Sequence, residues 1–238
     1  MTNAPDVRLY LFFARDRRAA VILRRARDRQ YDLIVWDRAS GRFEHGQTIR
    51  KHVVPESCAL APDGAHLLHA VRNADPMGAA GEYYTAISRP PYFTALALFP
   101  HAGPWPLGGR FLDRATFLLE DDQAEDRIGR AEGLTRLVRG DVAKGCSSGL
   151  RLDSDAPAPL SKAALAEGAG EGTDRPWQAT ERALHDTLGG ALYRRRGLDL
   201  ELIHDFRTLE PRFVRAPYDW RPEGDAPGDA WHPLDGQA

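Results

Sequence analysis

Apolar residues recur at every second position over short spans, and turn residues separate the spans, so the pattern predicts β-strands along most of the chain. The spans with this pattern are 7–14, 19–27, 31–37, 42–49, 57–60, 65–71, 82–88, 92–99, 110–119, 134–139, 191–196 and 199–206. Pro62-Asp63-Gly64 between two of them is typical of a hairpin, because glycine tolerates the positive φ that such turns need. The pattern therefore predicts an all-β chain.

Two stretches lack this alternation. Residues 154–176 are rich in Ala, Gly, Pro, Ser and Glu, which favours a flexible insertion or linker. Residues 219–238 carry prolines, glycines and scattered charge, which favours an extended tail. We therefore expect N-terminal strands over 1–153 and C-terminal strands over 177–218 that complete the same domain.

One internal similarity bears on the architecture. Residues 22–27 (ILRRAR) and 32–37 (DLIVWD) are echoed by 192–196 (LYRRR) and 200–205 (LELIHD). Each pair predicts a strand, a polar turn and a strand that ends in aspartate, and 84–89 with 93–99 is a weaker third copy. Strand pairs that recur about every 50 residues predict a β-propeller with one four-stranded blade per interval, or about four or five blades here.

The stretch that begins with LIVWD (33–37) is similar to a WD40-type repeat. Ser40-Gly41 follows it, and ALAPDG (59–64) stands where the family has a Ser-Pro-Asp-Gly hairpin. Ala61 replaces the usual serine, and no Gly-His pair precedes the strand. The resemblance implies a propeller-like array of antiparallel four-stranded units, either an incomplete ring or one closed by a partner. A β-sandwich or an open meander explains the same strands.

Composition narrows the function classes. The 238 residues are 42% hydrophobic, and the net charge of −2 excludes a strongly basic nucleic-acid binder on bulk charge, although a local basic patch stays possible. Two cysteines, Cys58 and Cys146, form no paired motif, so the reducing cytosol is the expected compartment. Residues 90–109 lack Asp, Glu, Lys and Arg, but they hold five prolines, so we predict no membrane span.

One motif suggests catalysis. GCSSG (145–149) matches the GxSxG nucleophile elbow, with Ser147 as nucleophile and His204 or His185 as base. An elbow needs a helix after it, and 150–159 contains two prolines. No P-loop, GxGxxG or HExxH motif is present, so we predict no cofactor and no metal site. A serine hydrolase is therefore an alternative hypothesis.

Arginines concentrate near the N-terminus. Arg24, Arg25 and Arg27 are the candidates for contacting a phosphate backbone, in a nucleic-acid-associated subunit. The competing interpretation is a solvated sheet edge whose charges prevent unwanted strand pairing.

A further segment concentrates the residue types that dominate protein interfaces. These residues are Tyr83, Tyr84, Arg89, Tyr92, Trp105 and Arg110. The competing interpretation is that the aromatic side chains fill the core between sheets. Because the sequence has no coherent catalytic set, the preferred hypothesis is a non-catalytic binding or scaffold module of a cytosolic complex, with a protein as its partner.

Overall fold

Apolar side chains on both faces of short strands build four small sheets. The computed structural model describes residues 7–26, 29–73, 79–101, 103, 107–138 and 181–220. The strands are β1 (Arg8–Phe13), β2 (Ala19–Arg25), β3 (Gln30–Asp37), β4 (Arg42–Arg50), β5 (His52–Leu60), β6 (Leu67–Arg72), β7 (Tyr83–Ser88), β8 (Ala95–His101), β9 (Gly109–Phe111), β10 (Thr116–Leu119), β11 (Thr135–Leu137), β12 (His185–Asp186), β13 (Ala191–Arg196) and β14 (Asp199–Asp205). The chain is all-β, as the alternation predicts.

The sheets follow one another along the chain. Sheet A has the order β1-β2-β3-β4 and sheet B the order β5-β6-β7-β8. Sheet C has the order β11-β10-β9 and sheet D the order β12-β13-β14. Sheets A, B and D are antiparallel throughout, whereas β11 pairs with β10 in parallel. Within the described ranges, only A and B reach the four antiparallel strands expected of each unit.

Local turn chemistry joins the strands. Gly41 (φ 74°) lies in the β3–β4 turn, where an Asp37 carboxylate oxygen accepts hydrogen bonds from the backbone N–H groups of Ala39 and Ser40. Gly64 (φ 72°) lies in the predicted β5–β6 hairpin, where the Asp63 carboxylate accepts a bond from the Ala65 N–H. Glycine suits both turns because an L side chain is strained at such φ values.

Two predicted strand boundaries are wrong, for local reasons. The span 110–119 is two strands, because the Asp113 carboxylate accepts bonds from the N–H groups of Ala115 and Thr116 and turns the chain. Strand β5 begins at His52, not at residue 57, and runs through Pro55. Proline is tolerated because β5 is an edge strand whose register shifts after Val54, so no ladder bond is lost.

Three apolar clusters stack the sheets in the order D, A, B, C. Leu33 and Leu67 belong to the cluster between A and B. Ile34 and Leu192 belong to the cluster between A and D. Sheets B and C share the third cluster. Sheets A and B are therefore covered on both faces. The strand that comes first along the chain in each sheet contacts the first strand of the next, so β1 contacts β5 and β5 contacts β9.

The internal similarity corresponds to equivalent hairpins. Strands β2 and β3 are the second and third strands of sheet A, and β13 and β14 hold the same places in sheet D. The repeated aspartates end equivalent strands and stabilise the turns that follow: Asp205 accepts a bond from the Arg207 N–H, as Asp37 does from Ala39. The predicted linker and nearly all of the predicted tail lie outside the described residues.

Candidate functional site

The predicted aromatic binding surface lies partly in the core. Tyr83 and Tyr84 are buried on β7, an inner strand of sheet B whose faces are both covered. These two tyrosines are therefore core residues, and their assignment to a binding surface is wrong. Trp105 lies outside the described residues. Arg110 is exposed on β9 of sheet C, on a different sheet from Tyr83 and Tyr84.

Arg89 and Tyr92 meet a residue from the chain's last described segment. The Arg89 guanidinium lies 5.5 Å from the ring centroid of Tyr218, and the Tyr92 ring meets Tyr218 edge-on at 6.0 Å. The Tyr218 hydroxyl accepts a bond from the Arg89 N–H and donates one to the Thr94 carbonyl. Burial raises the pKa of Tyr218. Sequence reasoning missed Tyr218 because its partners are more than 120 residues away in the chain.

The same segment is bound to sheets A and B through Gln47. The Gln47 side-chain NH2 group donates a hydrogen bond to the Val214 carbonyl. The Gln47 amide oxygen accepts hydrogen bonds from the backbone N–H groups of Phe93 and Thr94. Gly46 lets the Pro91 backbone approach, since a Cβ there would lie 1.9 Å from the Pro91 carbonyl oxygen. This part of the chain therefore fastens sheets A and B together.

Arg24 is buried, not exposed to a phosphate backbone. Its guanidinium bonds the Asp32 carboxylate at 2.5 Å and the Phe206 carbonyl at 2.7 Å, and Thr48 donates to the other oxygen of Asp32. Both residues belong to sheet A and both are buried, so they form a structural ion pair within that sheet, and the Arg24 bond to Phe206 links it to the segment after β14. Arg25 is half-buried at the end of β2, and Arg27 lies outside the described residues.

The residues of the hydrolase hypothesis are not brought together in the described chain. Ser147 lies outside it. His204 is exposed on β14 and its ring centroid lies 4.7 Å from that of Phe43. His185 is buried against Phe13 and Trp36, with Nδ1 2.8 Å from the Glu181 carbonyl oxygen. Burial lowers the pKa of His185. The hydrolase hypothesis stays a prediction.

One constellation has the order of a catalytic triad. Thr85 Oγ1 lies 2.7 Å from His101 Nε2, and His101 Nδ1 lies 3.2 Å from an oxygen of Asp121. The Thr85 hydroxyl also donates to the Leu107 carbonyl, and Thr85 and His101 are both buried. A nucleophile must reach its substrate. The buried Thr85 hydroxyl is already engaged by His101 and the Leu107 carbonyl, so the three residues link sheet B to the loop after β10.

The outer face of sheet D is the accessible apolar surface. The cross-strand pairs Tyr193–Leu202 and Arg195–Leu200 place these side chains on one face, whereas Leu192 packs on sheet A. Leu200 and Leu202 are 43% and 56% exposed. The exposed leucines of sheet D and its turns, named here the leucine surface, are Leu184, Leu188, Leu198, Leu200 and Leu202.

This concentration is specific to one sheet. Five of the six exposed large hydrophobic residues in the described chain belong to the leucine surface, and the sixth, Val138, follows β11 in sheet C. Strand alternation alone could not identify the leucine surface, because Leu200 and Leu202 have the sequence pattern of an ordinary half-buried strand. What leaves them exposed is that sheet A covers only one face of sheet D.

Other kinds of site receive no support from the described ranges. No group of three or more His, Cys, Asp or Glu side chains within them could hold a metal ion. Nor does any helix in those ranges have the length and apolar character needed to cross a membrane. No protein-family model matches the chain, and neither the curated proteins nor the solved structures contain a significant match.

Proposed function

We propose that the chain is a protein-binding module of a cytosolic complex, acts without catalysis and binds its partner through the leucine surface. The observation that carries this proposal is the concentration of exposed leucines on one sheet. Leu200 and Leu202 lie on one face of β14, and exposed apolar side chains that adjoin one another, unlike scattered ones, are typical of protein interaction sites. Leu200 and Leu202 are about half exposed, so covering each of them releases about half of the roughly 1.5–3 kcal/mol gained by burying a fully exposed leucine.

The edge of sheet D supports a partner other than a second copy. Within the described ranges β14 pairs only with β13, so its other edge presents backbone donors and acceptors. A second copy paired symmetrically about Leu202 would place Asp199 opposite Asp205, and like charges directly opposite are destabilising. The proposed partner is therefore a different protein, with an apolar segment that covers Leu200 and Leu202.

The arrangement of the sheets supports a propeller-like frame for this module. Sheets A and B are consecutive up-and-down units, and the sheet nearest the C-terminus packs on the first one. Contacts between first strands fit sheets that converge on a common axis, as propeller blades do. In that frame sheets A and B are inner blades, and the outer face of sheet D is open to a partner.

A photo-crosslinking experiment tests the proposal. A photoreactive phenylalanine analogue replaces Leu200 in the full chain in its native host, and the matched control carries it at Val138, another exposed apolar position. We expect a crosslinked adduct with a different protein from position 200 only. Leu202→Ser should reduce that adduct severalfold without changing the unfolding midpoint.

Two results would contradict the proposal. Equal adducts from positions 200 and 138 would show that the leucine surface has no special affinity. An adduct with twice the mass of the chain would assign the surface to a second copy instead. Light scattering on the purified protein distinguishes this second case independently.

A further inference from the structure

Sheet D has one strand fewer than sheet A among the described residues. In sheet A, β4 pairs antiparallel with the third strand, β3. The third strand of sheet D is β14, the counterpart of β3, and within the described ranges it pairs only with β13. Six of the seven residues of β14 are exposed, whereas only one of the eight residues of β3 is. The place beside β14 is therefore accessible from solvent.

The described chain after β14 runs along sheet A and does not return to this place. The Arg212 N–H donates a hydrogen bond to the Thr48 hydroxyl, and the Thr48 N–H donates one to the Arg212 carbonyl. Two residues further on, the Val214 carbonyl accepts a bond from Gln47. Thr48 and Gln47 belong to β4, so this segment covers the outer edge of sheet A.

The outer edge of sheet B is also covered by the chain itself. Its last strand is β8, in which the Leu98 and Leu96 carbonyls accept hydrogen bonds from the N–H groups of Arg127 and Arg130. The Leu98 N–H donates to the Asp126 carboxylate. Strand β14 has no such cover in the described part of the chain. An uncovered edge strand is a template for another strand, because its backbone donors and acceptors are available for pairing.

The side chains of β14 define the chemistry of a strand that would fit beside it. The pairing with β13 is regular from Asp199 to Leu202, and the register shifts only beyond Leu202. Leu200 and Leu202 share the outer face, and Asp199 and Glu201 alternate with them. An added strand would place apolar side chains beside the leucines and basic side chains beside the carboxylates. Glu201 already pairs with Arg196, so the stronger position for a cation is beside Asp199.

We propose that the partner of the leucine surface binds as an extended segment of alternating apolar and basic residues, which pairs antiparallel with β14 and becomes the fourth strand of sheet D. The inference rests on the proposed function, because it specifies how the partner covers the same surface. The antiparallel direction follows from sheet A, where β4 holds the equivalent place. In this binding mode backbone hydrogen bonds supply affinity and alternate side chains supply specificity.

Two N-methylated peptides test the strand addition. The probe is a capped, fluorescently labelled peptide of about seven residues in which lysine and valine alternate, titrated against the full chain. In an antiparallel pair the N–H and C=O groups of every second residue point to the neighbouring strand. Methylation of every lysine nitrogen of the backbone, or of every valine nitrogen, therefore removes the donors from one edge of the peptide only.

We expect the unmethylated peptide to bind with a dissociation constant below about 1 mM. One methylated peptide should bind more than about tenfold more weakly, because it loses several backbone hydrogen bonds, and the other should bind within about twofold of the parent. Leu202→Ser should weaken the parent peptide about fivefold through lost apolar contact. The matched control Val138→Ser, at another exposed apolar position, should leave its affinity within about twofold.

Hydrogen exchange of the full chain locates the bound peptide. Every second amide of β14 should exchange rapidly in the free protein and at least about fivefold more slowly with the peptide, whereas the amides of β4 should not change. Slow exchange of all β14 amides in the free protein would show that the chain itself or a second copy covers this edge, and would overturn the proposal. Absence of peptide binding at about 1 mM would also overturn it.

The experiments separate this inference from the proposed function. If both methylated peptides bind as tightly as the parent and Leu202→Ser weakens all three, the leucine surface is a binding site without strand addition. That result overturns the inference and leaves the proposed function intact. If the methylated peptides differ as expected but crosslinking from position 200 gives no specific adduct, the edge of sheet D accepts a strand and the proposed function fails.

Discussion

Sheets A and D contain hairpins of similar sequence, yet they lie in different environments. The β2–β3 hairpin of sheet A is buried on both faces, and its one buried ion pair, Arg24–Asp32, is closed off from solvent. The β13–β14 hairpin of sheet D buries one face, and its ion pair Arg196–Glu201 is more than half exposed. The comparison shows that position in the stack, and not the strand sequence, decides which side chains support the fold and which remain available for binding.

The largest expected effect comes from breaking the buried ion pair of sheet A. Asp32→Ala leaves the Arg24 guanidinium buried without its counter-charge, so we expect a loss of about 3–5 kcal/mol in the free energy of unfolding. Urea unfolding of the variant and the wild-type protein measures this loss. Arg196→Ala in sheet D should cost less than about 1 kcal/mol, because solvent screens an exposed pair. Equal losses in the two variants would remove the distinction between the sheets.

Leucine truncation tests the same contrast with apolar side chains. Leu33 is fully buried on β3, so Leu33→Ala should cost about 2–5 kcal/mol through lost burial and a residual cavity. Leu200→Ala on the open face should change the free energy of unfolding by less than about 0.5 kcal/mol. If Leu200→Ala proved as costly as Leu33→Ala, the outer face of sheet D would be covered in solution.

The interface between sheets A and B should also respond to pH. His69 is fully buried, with its ring edge-on to Phe93, and burial lowers its pKa to about 4 from an ordinary value of 6.5. The unfolded chain therefore binds a proton more readily than the folded one below pH 6.5. The stability contributed by neutral His69 is fully present above pH 6.5, and the free energy of unfolding falls by about 3 kcal/mol as the pH drops to 4.

Urea unfolding at several pH values measures this dependence, and His69→Leu should flatten it. His101 and His185 have pKa values lowered by burial in the same direction, so a smaller slope should remain in that variant. A wild-type protein with constant stability between pH 6.5 and 4 would contradict the assignment of His69 as a buried neutral imidazole.

The smallest effect concerns the segment that fastens sheets A and B. Tyr218→Phe removes the hydroxyl that donates to the Thr94 carbonyl and accepts from the Arg89 N–H, so we expect a loss of about 1 kcal/mol. Hydrogen exchange at the Arg89 amide should accelerate. The control Tyr193→Phe, on the open face of sheet D, should change stability by less than about 0.5 kcal/mol.

Local patterns predicted most strands but fewer of the functional residues. Asp63 and Gly64 identify the β5–β6 hairpin in the sequence, because the positive φ of Gly64 and the hydrogen bond from the Ala65 N–H to the Asp63 carboxylate depend only on neighbouring residues. An aromatic residue has the same sequence signature in a core and in an interface, so the sequence does not distinguish the buried tyrosines of β7 from surface residues. The sequence predicts an exposed Arg24 because the groups that bury it are not its neighbours: Asp32 lies across a hairpin, and the Phe206 carbonyl lies 182 residues away.

The sequence by itself determined that the chain is all-β, where most strands begin and end, and which turns can close, because alternation and turn chemistry act between residues close in the chain. Only the tertiary structure decided that sheets A and B lie inside the stack, that Arg24 and Tyr84 are buried and that the leucine surface is open. The physical reason is that burial depends on what covers a strand's faces, and that cover comes from distant segments whose arrangement no local pattern encodes.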